Sequence, residues 1–555
     1  MRRIVRDSFS GLTLFSVSAV LAFAVVAGNA RPAAPAQPAA LEAPAAEAQG
    51  VYDWPQFQGD VKRTGRNTYA LTGPFTKRWT RNLGVPLAHR VQPVVANGYV
   101  VVGDSAGMVY GLNESNGNLA WSYQTGGAIT FSAAIDMTSN RVFVPSQDGY
   151  LYALNLTNGA LVWQVKPGRK PLGGSPLLYN NRLYVGGKDG YFYALNLGDG
   201  SAAWTFDTAA AGWRAPILSA AAISPAKGRV YFAAENVRAY ALDLNTGALA
   251  WSYQMYGESV ADSWPVVSEY HDVVMFRTKS VYSFHSSLGL DDADLFCPGD
   301  QDTACGSCAN WNPDNYNAPN NNVTNGSAQW DEQHGATNSI DWILNTYPQR
   351  RTFFALDLDD GAHRPAPILW TGGGGRAGIP PVVNDSTGDI YVFARTKYSR
   401  RDTTYFCRKW VDLVRLTFSS GQGTFNFLSC PSGTHCPDSW GFHFIGDEST
   451  IISMSGNTIL GTGWYHTGSV RVNDGAYYDI SGSTGYPEGT NGNGDDHSAP
   501  AAVANGHVFV KQRGVVSSSG PMTAIVMYAG AGSANAAGEP RSGSPLASEA
   551  GAGAP

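Results

Sequence analysis

The chain is poor in charge and has no cysteine in its first half. Of its 555 residues, 15% are charged, and the formal net charge of -6 at pH 7 provides no basic field for nucleic acid. We therefore expect no nucleic-acid partner. No cysteine precedes Cys297, so the amino terminus lacks the cysteine that a lipid anchor would need.

The amino terminus has the pattern of a secretory signal peptide. Three arginines precede an apolar run at 12–27, and small residues follow up to Ala30. This pattern predicts a signal peptide over 1–30 that is cleaved after Ala30. A retained membrane anchor is the alternative, although the run is short for a membrane span. We expect an exported mature protein, periplasmic or extracellular, with no membrane span after cleavage.

Composition divides the rest of the chain. Residues 31–50 form an Ala/Pro-rich linker, and residues 529–555 form a Gly/Ala/Ser-rich tail that we expect to be disordered. The segment between them, 51–528, is predicted to be one folded domain with a Cys-rich insertion at 288–350.

Tryptophan returns at nearly fixed intervals along the first half of the chain. Successive members lie 42, 42, 41 and 47 residues apart: Trp79, Trp121, Trp163, Trp204 and Trp251. The last four each close a similar unit, and the four units align without a gap. Repeats of roughly 40 to 45 residues, built from short strands and turns, are typical of β-propeller blades.

Each unit reads as two strands joined by a tight turn. In the second unit, Tyr150 and Tyr152 alternate with Leu151 and Ala153, as in a half-buried strand. A turn follows, because an Asx side chain bonds a backbone N–H and a glycine four residues later accepts positive φ. The pairs are Asn113/Gly117, Asn155/Gly159, Asn196/Gly200 and Asp243/Gly247. Another hairpin precedes each unit, so each repeat supplies four strands.

These units resemble the pyrroloquinoline-quinone (PQQ) repeat, the family of BamB-like propellers and quinoprotein alcohol dehydrogenases. The match is closest in Tyr240–Trp251, which reads YALDLNTGALAW, and residues 53–65 resemble the family's amino-terminal segment. The resemblance is strong from about Val51 to Trp251 and weaker afterwards. It implies that a tryptophan of each blade packs against the neighbouring blade. The expected blade-packing residues are Trp79, Trp121, Trp163, Trp204, Trp251 and Trp370.

The repeats predict an all-β, eight-bladed β-propeller of four-stranded blades. Seven blades are the alternative, because the late repeats are degenerate. The fifth repeat begins at Trp264, breaks after Ser283 and resumes at Phe353, which defines the insertion. The eighth repeat has no tryptophan strand, whereas the strand containing Trp79 has no repeat before it. We therefore expect this amino-terminal strand to complete the last blade and close the ring.

Six cysteines in an exported chain favour three disulfides, whose pairing the sequence does not give. They are Cys297, Cys305, Cys308, Cys407, Cys430 and Cys436. The spacing of Cys305 and Cys308 also suits a metal, but no second cysteine pair or nearby histidine completes a tetrahedral set. Haem attachment would need a histidine where Ala309 stands. The insertion is rich in aspartate, which can bind calcium; the favoured interpretation is a solvated loop held by disulfides.

The segments before the first strand of each blade converge on one mouth of the central channel. We expect a ligand site there, because pockets with convergent polar groups are default binding sites. The candidates are His89, Arg90, Trp213, Arg214, Asp262, Trp264, Arg376, Trp440, His443, Asp495, Asp496 and His497. The alternative is that these residues cap blade edges and pair with each other. No residue is assigned a catalytic role. Gly103–Gly107 fits G-x-S-x-G but aligns with later hairpin turns, so we expect a turn there rather than a nucleophile elbow.

Two functions compete. The favoured hypothesis is a non-enzymatic propeller that binds an unknown protein or small-molecule partner through its mouth and its insertion. The alternative implied by the resemblance is a PQQ- and calcium-dependent quinoprotein alcohol dehydrogenase. The adjacent cysteine pair typical of many such enzymes is absent, and no calcium-ligand motif matches, so no cofactor is assigned. Fold alone does not decide between the two.

Overall fold

The chain is described here from a computed structural model. The structure describes residues 52–88, 90–261, 263–279, 348, 351–366, 380–394, 412–419, 422–427, 451–462, 467–472, 477–479, 501–513 and 522–531. These residues form strands, turns and one short 3-10 helix, Thr208–Ala211. Within them, no helix combines the length and the apolar character needed to cross a bilayer.

The first four blades follow one another along the chain without interruption. Two strands precede them and join later blades, β1 (Arg66–Asn67) and β2 (Thr72–Asn82). Each blade is an antiparallel sheet whose strands run in chain order from the channel to the rim. The strands of blades 1 to 4 are β3 (Val94–Ala96), β4 (Tyr99–Gly103), β5 (Met108–Asn113), β6 (Leu119–Gln124), β7 (Ala134–Asp136), β8 (Arg141–Pro145), β9 (Leu151–Asn155), β10 (Leu161–Val165), β11 (Leu177–Tyr179), β12 (Arg182–Gly186), β13 (Tyr191–Asn196), β14 (Ala202–Asp207), β15 (Ala222–Ser224), β16 (Arg229–Ala234), β17 (Arg238–Asp243) and β18 (Leu249–Gln254).

Blades 5 to 8 complete the ring and confirm the predicted count of eight. Strand β2 is the outer strand of blade 8, so the prediction that the Trp79 strand closes the ring is also confirmed. Strand β1 adds in parallel to the inner strand of blade 7. The remaining strands are β19 (Val266–Ser268), β20 (Val273–Arg277), β21 (Phe353–Asp357), β22 (His363–Arg364), β23 (Val382–Asn384), β24 (Asp389–Ala394), β25 (Asp412–Ser419), β26 (Gln422–Phe427), β27 (Ile451–Ser455), β28 (Thr458–Thr462), β29 (Thr467–Arg471), β30 (Tyr477–Asp479), β31 (Ala502–Ala504), β32 (His507–Arg513) and β33 (Met522–Ala531).

A row of paired residues crosses each of the first four blades and ends at its tryptophan. In blade 4 the row is Ala222, Tyr231, Ala241 and Trp251. The third residue of the row is small because the indole ring lies over it. In blade 1 this residue is Gly111, and a Cβ there would collide with Trp121. A bulge precedes each of these tryptophans. It makes the rim strand irregular, which disfavours pairing with the edge of another sheet.

Each of these four indoles, and that of Trp79 in blade 8, also bonds to the next blade, a contact that we call the indole latch. The indole Nε1 donates to a carbonyl beside the next Asx–Gly turn, and the ring lies on the turn glycine. Glycine is therefore needed there for two reasons, positive φ and the indole face. The five bonds are Trp79 to Glu114 (2.9 Å), Trp121 to Leu156 (2.6 Å), Trp163 to Leu197 (3.2 Å), Trp204 to Leu244 (3.1 Å) and Trp251 to Leu358 (3.1 Å).

Blade 5 departs from this pattern. Its row runs Val266, Met275, Ala355 and Arg364, without the bulge, so Arg364 holds the place that tryptophan has in blade 4. Trp370, which was expected to pack this blade, lies outside the described residues. Among the described residues, the partner of Ala355 on the outer strand of blade 5 is therefore Arg364.

The segment 52–67, which we call the lead-in, runs inside the channel and bonds to the inner strand or first turn of every blade. Inner strands would otherwise leave backbone groups unpaired at the channel. In blades 1 to 7, an N–H group of the inner strand donates to the lead-in. The pairs are Val95 to Trp54, Ile135 to Pro55, Leu178 to Gln56, Ile223 to Val61, Val267 to Lys62, Val383 to Thr64 and Met454 to Gly65. In blade 8 the direction is reversed: Asn67 Nδ2 of the lead-in donates to the Val503 carbonyl at 2.8 Å.

Arg63 holds the middle of the lead-in across the channel. Its side chain is fully buried and donates to the carbonyls of Ala221 (2.8 Å), Pro176 (3.1 Å) and Phe57. Burial lowers the pKa of Arg63 to about 9. Three carbonyl acceptors and the Phe57 ring, 5.7 Å from the guanidinium carbon, compensate the buried donors. The lead-in therefore occupies the channel along the inner strands.

Candidate functional site: the channel mouth

The mouth is formed by the connections between blades and by the turns between the second and third strands. Both lie at one end of the blades, because the four strands of a blade alternate in direction. The first–second strand turns and the Asx–Gly turns lie on the opposite face. The described connections are 83–93, 125–133, 166–176, 208–221 and 255–265, apart from residues 89 and 262.

Three aspartates of the mouth turns are engaged in holding those turns. Asp104 accepts from the Met108 N–H (2.9 Å) and the Tyr110 hydroxyl (2.8 Å). Asp148 and Asp189 accept in the same way from Tyr152 (2.6 Å) and Tyr193 (2.8 Å). Burial, then the bond to the carboxylate, raises the pKa of Tyr110 and of Tyr152 to about 12. These tyrosines therefore remain protonated donors at neutral pH.

The G-x-S-x-G segment is one of these turns. Gly103 ends β4, Met108 begins β5, and the Ser105 N–H donates to the Pro86 carbonyl at 2.9 Å. A nucleophile elbow would join a strand to a helix. The segment is a hairpin turn between two strands.

Four of the twelve predicted mouth residues are among those described, and they do not form one cluster. Arg90 lies over the Phe131 ring, with 5.6 Å from the guanidinium carbon to the ring centroid. Trp213 is 62% exposed, and Arg214 beside it pairs with Asp207. The other eight lie outside the described residues: His89, Asp262, Arg376, Trp440, His443, Asp495, Asp496 and His497.

Trp264 lies in the core beneath the mouth. Its side chain is 6% exposed and meets Phe57 of the lead-in edge to face, with ring centroids 4.9 Å apart. Such contacts are ordinary core packing for large aromatic side chains. Trp264 therefore presents no exposed ring face on which a ligand could stack. Any role of this residue in ligand binding stays a prediction.

Lys188 is a mouth residue that the segment-by-segment prediction missed. It occupies the variable place of the mouth turn, where blades 1, 2 and 4 have Ser105, Gln147 and Glu235. Its Nζ donates to Gln147 Oε1 at 2.5 Å. Burial, and then the charge of Arg90, lowers its pKa. The sequence signal that could have identified Lys188 is that this one position varies among mouth turns that are otherwise similar.

The described residues do not fit a PQQ and calcium site. Calcium takes six to eight oxygen ligands, but the three mouth aspartates stand on separate blades and are engaged in their turns. In the described part of the chain, three carboxylates converge at Asp272, Asp357 and Asp359, on the opposite face. Lys227 Nζ already lies 2.9 Å from Asp272 and 2.7 Å from Asp359. This cluster is therefore balanced by a lysine.

The six cysteines lie outside the described residues, as does the insertion apart from Pro348. The disulfides accordingly stay a prediction, as do calcium binding, the linker and the signal peptide. Residues 529–531, which were predicted to belong to the tail, are part of β33, and the rest of the tail lies outside the described residues. Five of the six predicted blade-packing tryptophans are described, and all five form the indole latch.

Solved structures share the fold of this chain. The quinohemoprotein alcohol dehydrogenase of Comamonas testosteroni superposes with a TM-score of 0.54 at 14% identity, covering 91% of this chain and 84% of that chain. The enzyme of the same name from Pseudomonas putida gives 0.53 at 13% identity, with coverages of 90% and 83%. BamB from Moraxella catarrhalis gives 0.46 at 13% identity, with 82% and 98%. Identities this low show the fold alone.

The sequence itself matches one family. No curated protein matches it at a significant level. The family model described as "Outer membrane protein assembly factor BamB" matches residues 74–166 and 128–364, which together make up just over half of the chain. The matched residues contain all five described latch tryptophans. The chain therefore belongs to the PQQ-repeat family of β-propellers.

Proposed function

We propose that the chain is an exported, non-enzymatic binding protein that holds a partner at the mouth of its propeller. Family membership alone does not select this function, because PQQ-repeat propellers are similar to both BamB and quinohemoprotein alcohol dehydrogenases. The choice rests on the described mouth.

One observation carries the proposal. The described mouth carboxylates already have partners: three aspartates are engaged in their turns, Asp207 pairs with Arg214, Glu235 accepts from Ser259 and Glu258 lies 3.6 Å from Lys279, whereas cations and an exposed indole remain at the surface. A carboxylate that acts as a general base must lie within hydrogen-bond reach of the substrate. Asp104, Asp148 and Asp189 instead each accept bonds from their own turn. Recognition needs only complementary surface groups, which the mouth has.

A titration with PQQ and calcium tests the proposal against the dehydrogenase alternative. The purified mature protein is titrated with both groups while absorbance and dye-linked alcohol oxidation are recorded. We expect neither a saturable absorbance change nor turnover. Saturable binding accompanied by turnover would replace the binding function with the dehydrogenase.

Export is tested separately. Expression of the full chain in a Gram-negative host, followed by fractionation and amino-terminal sequencing, should give a mature chain beginning at Arg31 outside the cytoplasm. A cytoplasmic chain that retains Met1 would contradict this part of the proposal.

A further inference from the structure

Three segments around blade 3 form one continuous part of the mouth, which we call the blade 3 surface. They are the incoming connection 166–171, the turn 187–191 and the outgoing segment 207–215. Three bonds from backbone N–H groups tie them together: Arg169 N–H donates to the Asp189 side chain at Oδ2 (3.0 Å), Lys188 N–H to the Pro171 carbonyl (3.0 Å) and Thr208 N–H to the Gly190 carbonyl (3.1 Å). Side chains on the three segments are therefore held close together.

The blade 3 surface is positive, in a chain whose net charge is negative. Its cations are Lys166, Arg169, Lys170, Lys188 and Arg214, and its carboxylates are Asp189 and Asp207. Asp189 bonds its own turn and the Arg169 N–H, and Asp207 pairs with Arg214, Oδ1 to Nε at 2.8 Å. Three exposed cations in the incoming connection and the half-buried Lys188 remain to face a ligand.

Lys188 has donor capacity beyond its single described bond. An ammonium has three hydrogens, and Gln147 Oε1 is its hydrogen-bond partner among the described residues. Arg90 is close enough to lower the pKa of Lys188 further. A carboxylate bound here would relieve the repulsion between the two cations and accept the remaining hydrogens.

Trp213 presents an indole at the edge of the same surface. The loop that carries it is fixed: Asp207 caps the 3-10 helix by accepting the Ala209 N–H (2.9 Å), and Asn236 Nδ2 donates to the Trp213 carbonyl (3.1 Å). Arg214 lies on the Tyr191 ring at 4.7 Å. Exposed tryptophan on a fixed loop, flanked by arginine, has the composition of a binding hot spot.

The equivalent places in other blades lack this combination. The connection 125–133 has no charged residue, and the mouth turn of blade 4 has Glu235. Blade 5 has a lysine at the turn, Lys279, but Glu258 lies 3.6 Å from it. The combination of several cations with an exposed indole therefore belongs to blade 3 among the described mouth turns.

We infer that the blade 3 surface binds an acidic peptide segment of a partner protein, with carboxylates against Lys170 and Lys188 and an aromatic residue against Trp213. This inference rests on the proposed binding function and names the partner's chemistry. The cations extend over three chain segments, which suits an extended peptide with several carboxylates. Nucleic acid is disfavoured because the chain as a whole has a net charge of -6 and provides no extended basic field for a run of phosphates.

Fluorescence anisotropy tests the inference on the mature protein. The probe is a fluorescein-labelled peptide of repeating Glu-Asp-Phe, titrated at low salt. We expect saturable binding that weakens as sodium chloride is added. Lys188→Gln combined with Lys170→Gln, and separately Trp213→Ala, should each weaken binding at least about tenfold. Lys279→Gln, the matched lysine of blade 5, should leave binding unchanged.

Three results would overturn the inference. They are equal binding by all variants, equal binding of a Lys-Arg-Phe peptide, and tighter binding of a single-stranded oligonucleotide or of phosphatidylglycerol vesicles. Peptide binding that survives alongside PQQ-dependent turnover would keep the docking surface and reject the proposed function. Absence of both peptide binding and turnover would reject the docking surface alone.

Discussion

The interface between blades 4 and 5 and the adjacent interface between blades 5 and 6 are built differently. At the first, Trp251 donates forward to Leu358 of blade 5 and covers Gly361. At the second, Arg364 holds the same place in the row but bonds within its own blade, to the His271 carbonyl at 2.7 Å and to Asp357. Among the residues that the structure describes, Arg364 thus takes the place in the row that the indole has in blade 4.

Blades 5 and 6 share a cluster of buried apolar side chains, and polar contacts and the lead-in also join them. The His271 Nε2 lies 2.6 Å from the Gly388 carbonyl. Lys62 of the lead-in reaches Glu269 of blade 5 (3.5 Å) and Asp385 of blade 6 (2.5 Å). The indole latch depends on shape and burial, whereas these added polar contacts depend on ionisation and on a segment from elsewhere in the chain.

The largest expected effect is at the latch. Trp251→Ala should lower the free energy of unfolding by about 3–5 kcal/mol, because it leaves a cavity between two blades. Urea denaturation measures the loss. Trp251→Phe keeps most of the ring and loses the Nε1 bond, so it should cost less. A loss below about 1 kcal/mol for the alanine variant would mean that the latch is not what holds this interface.

The next effect concerns the glycine under the latch. Gly361 has φ of 74°, and an added Cβ would lie 2.7 Å from the Trp251 ring, whereas Gly228 has φ of 58° and open space. Both alanine variants carry left-handed strain of about 1–3 kcal/mol. Gly361→Ala should be the less stable by about 1 kcal/mol or more in the same urea assay. Equal losses of stability in the two variants would show that the Trp251 ring moves aside at no cost.

The polar interface should respond to pH where the latch does not. Burial raises the pKa of Asp385, but hydrogen bonds from Lys62 and the Tyr270 N–H outweigh it, so the net pKa is lowered. A carboxyl with a lowered folded pKa contributes stability above its unfolded pKa, about 4, and loses it as pH falls through the folded value. Asp385→Asn should cost about 1–3 kcal/mol at pH 7.

Denaturation from pH 7 down to acid measures this difference. The gap between Asp385→Asn and the unaltered protein should shrink below about pH 4. The gap for Trp251→Ala should persist over the same range, since no titrating group contributes to the latch. A pH-independent gap for the asparagine variant would contradict the ionic account of the interface.

The smallest effect is expected at the exposed indole. Trp213→Ala removes a side chain that is 62% exposed, so the free energy of unfolding should change by no more than about 0.5 kcal/mol. The same urea assay measures it. A larger loss would assign Trp213 to packing, as for the latch tryptophans, and would weaken its use as a binding probe.

Local patterns were enough to predict the ring. The spacing from Asn113 to Gly117 and its repeats marks turns through backbone chemistry alone, and the unmatched strand of Trp79 correctly predicted how the ring closes. The candidate site was predicted less well. Trp264 was placed at the mouth by its position before an inner strand, but Phe57 of the lead-in covers it.

The sequence by itself determined the blade, because strand alternation, Asx–Gly turns and the small residue beneath each tryptophan all act within about forty residues. Only the tertiary structure decided the path of the lead-in, the place of Arg364 in the row of blade 5, and the grouping of Lys170, Lys188 and Trp213. The physical reason is the same in each case. Unpaired backbone groups, ring faces and charges find partners by distance in the ring, and blades far apart along the chain meet there.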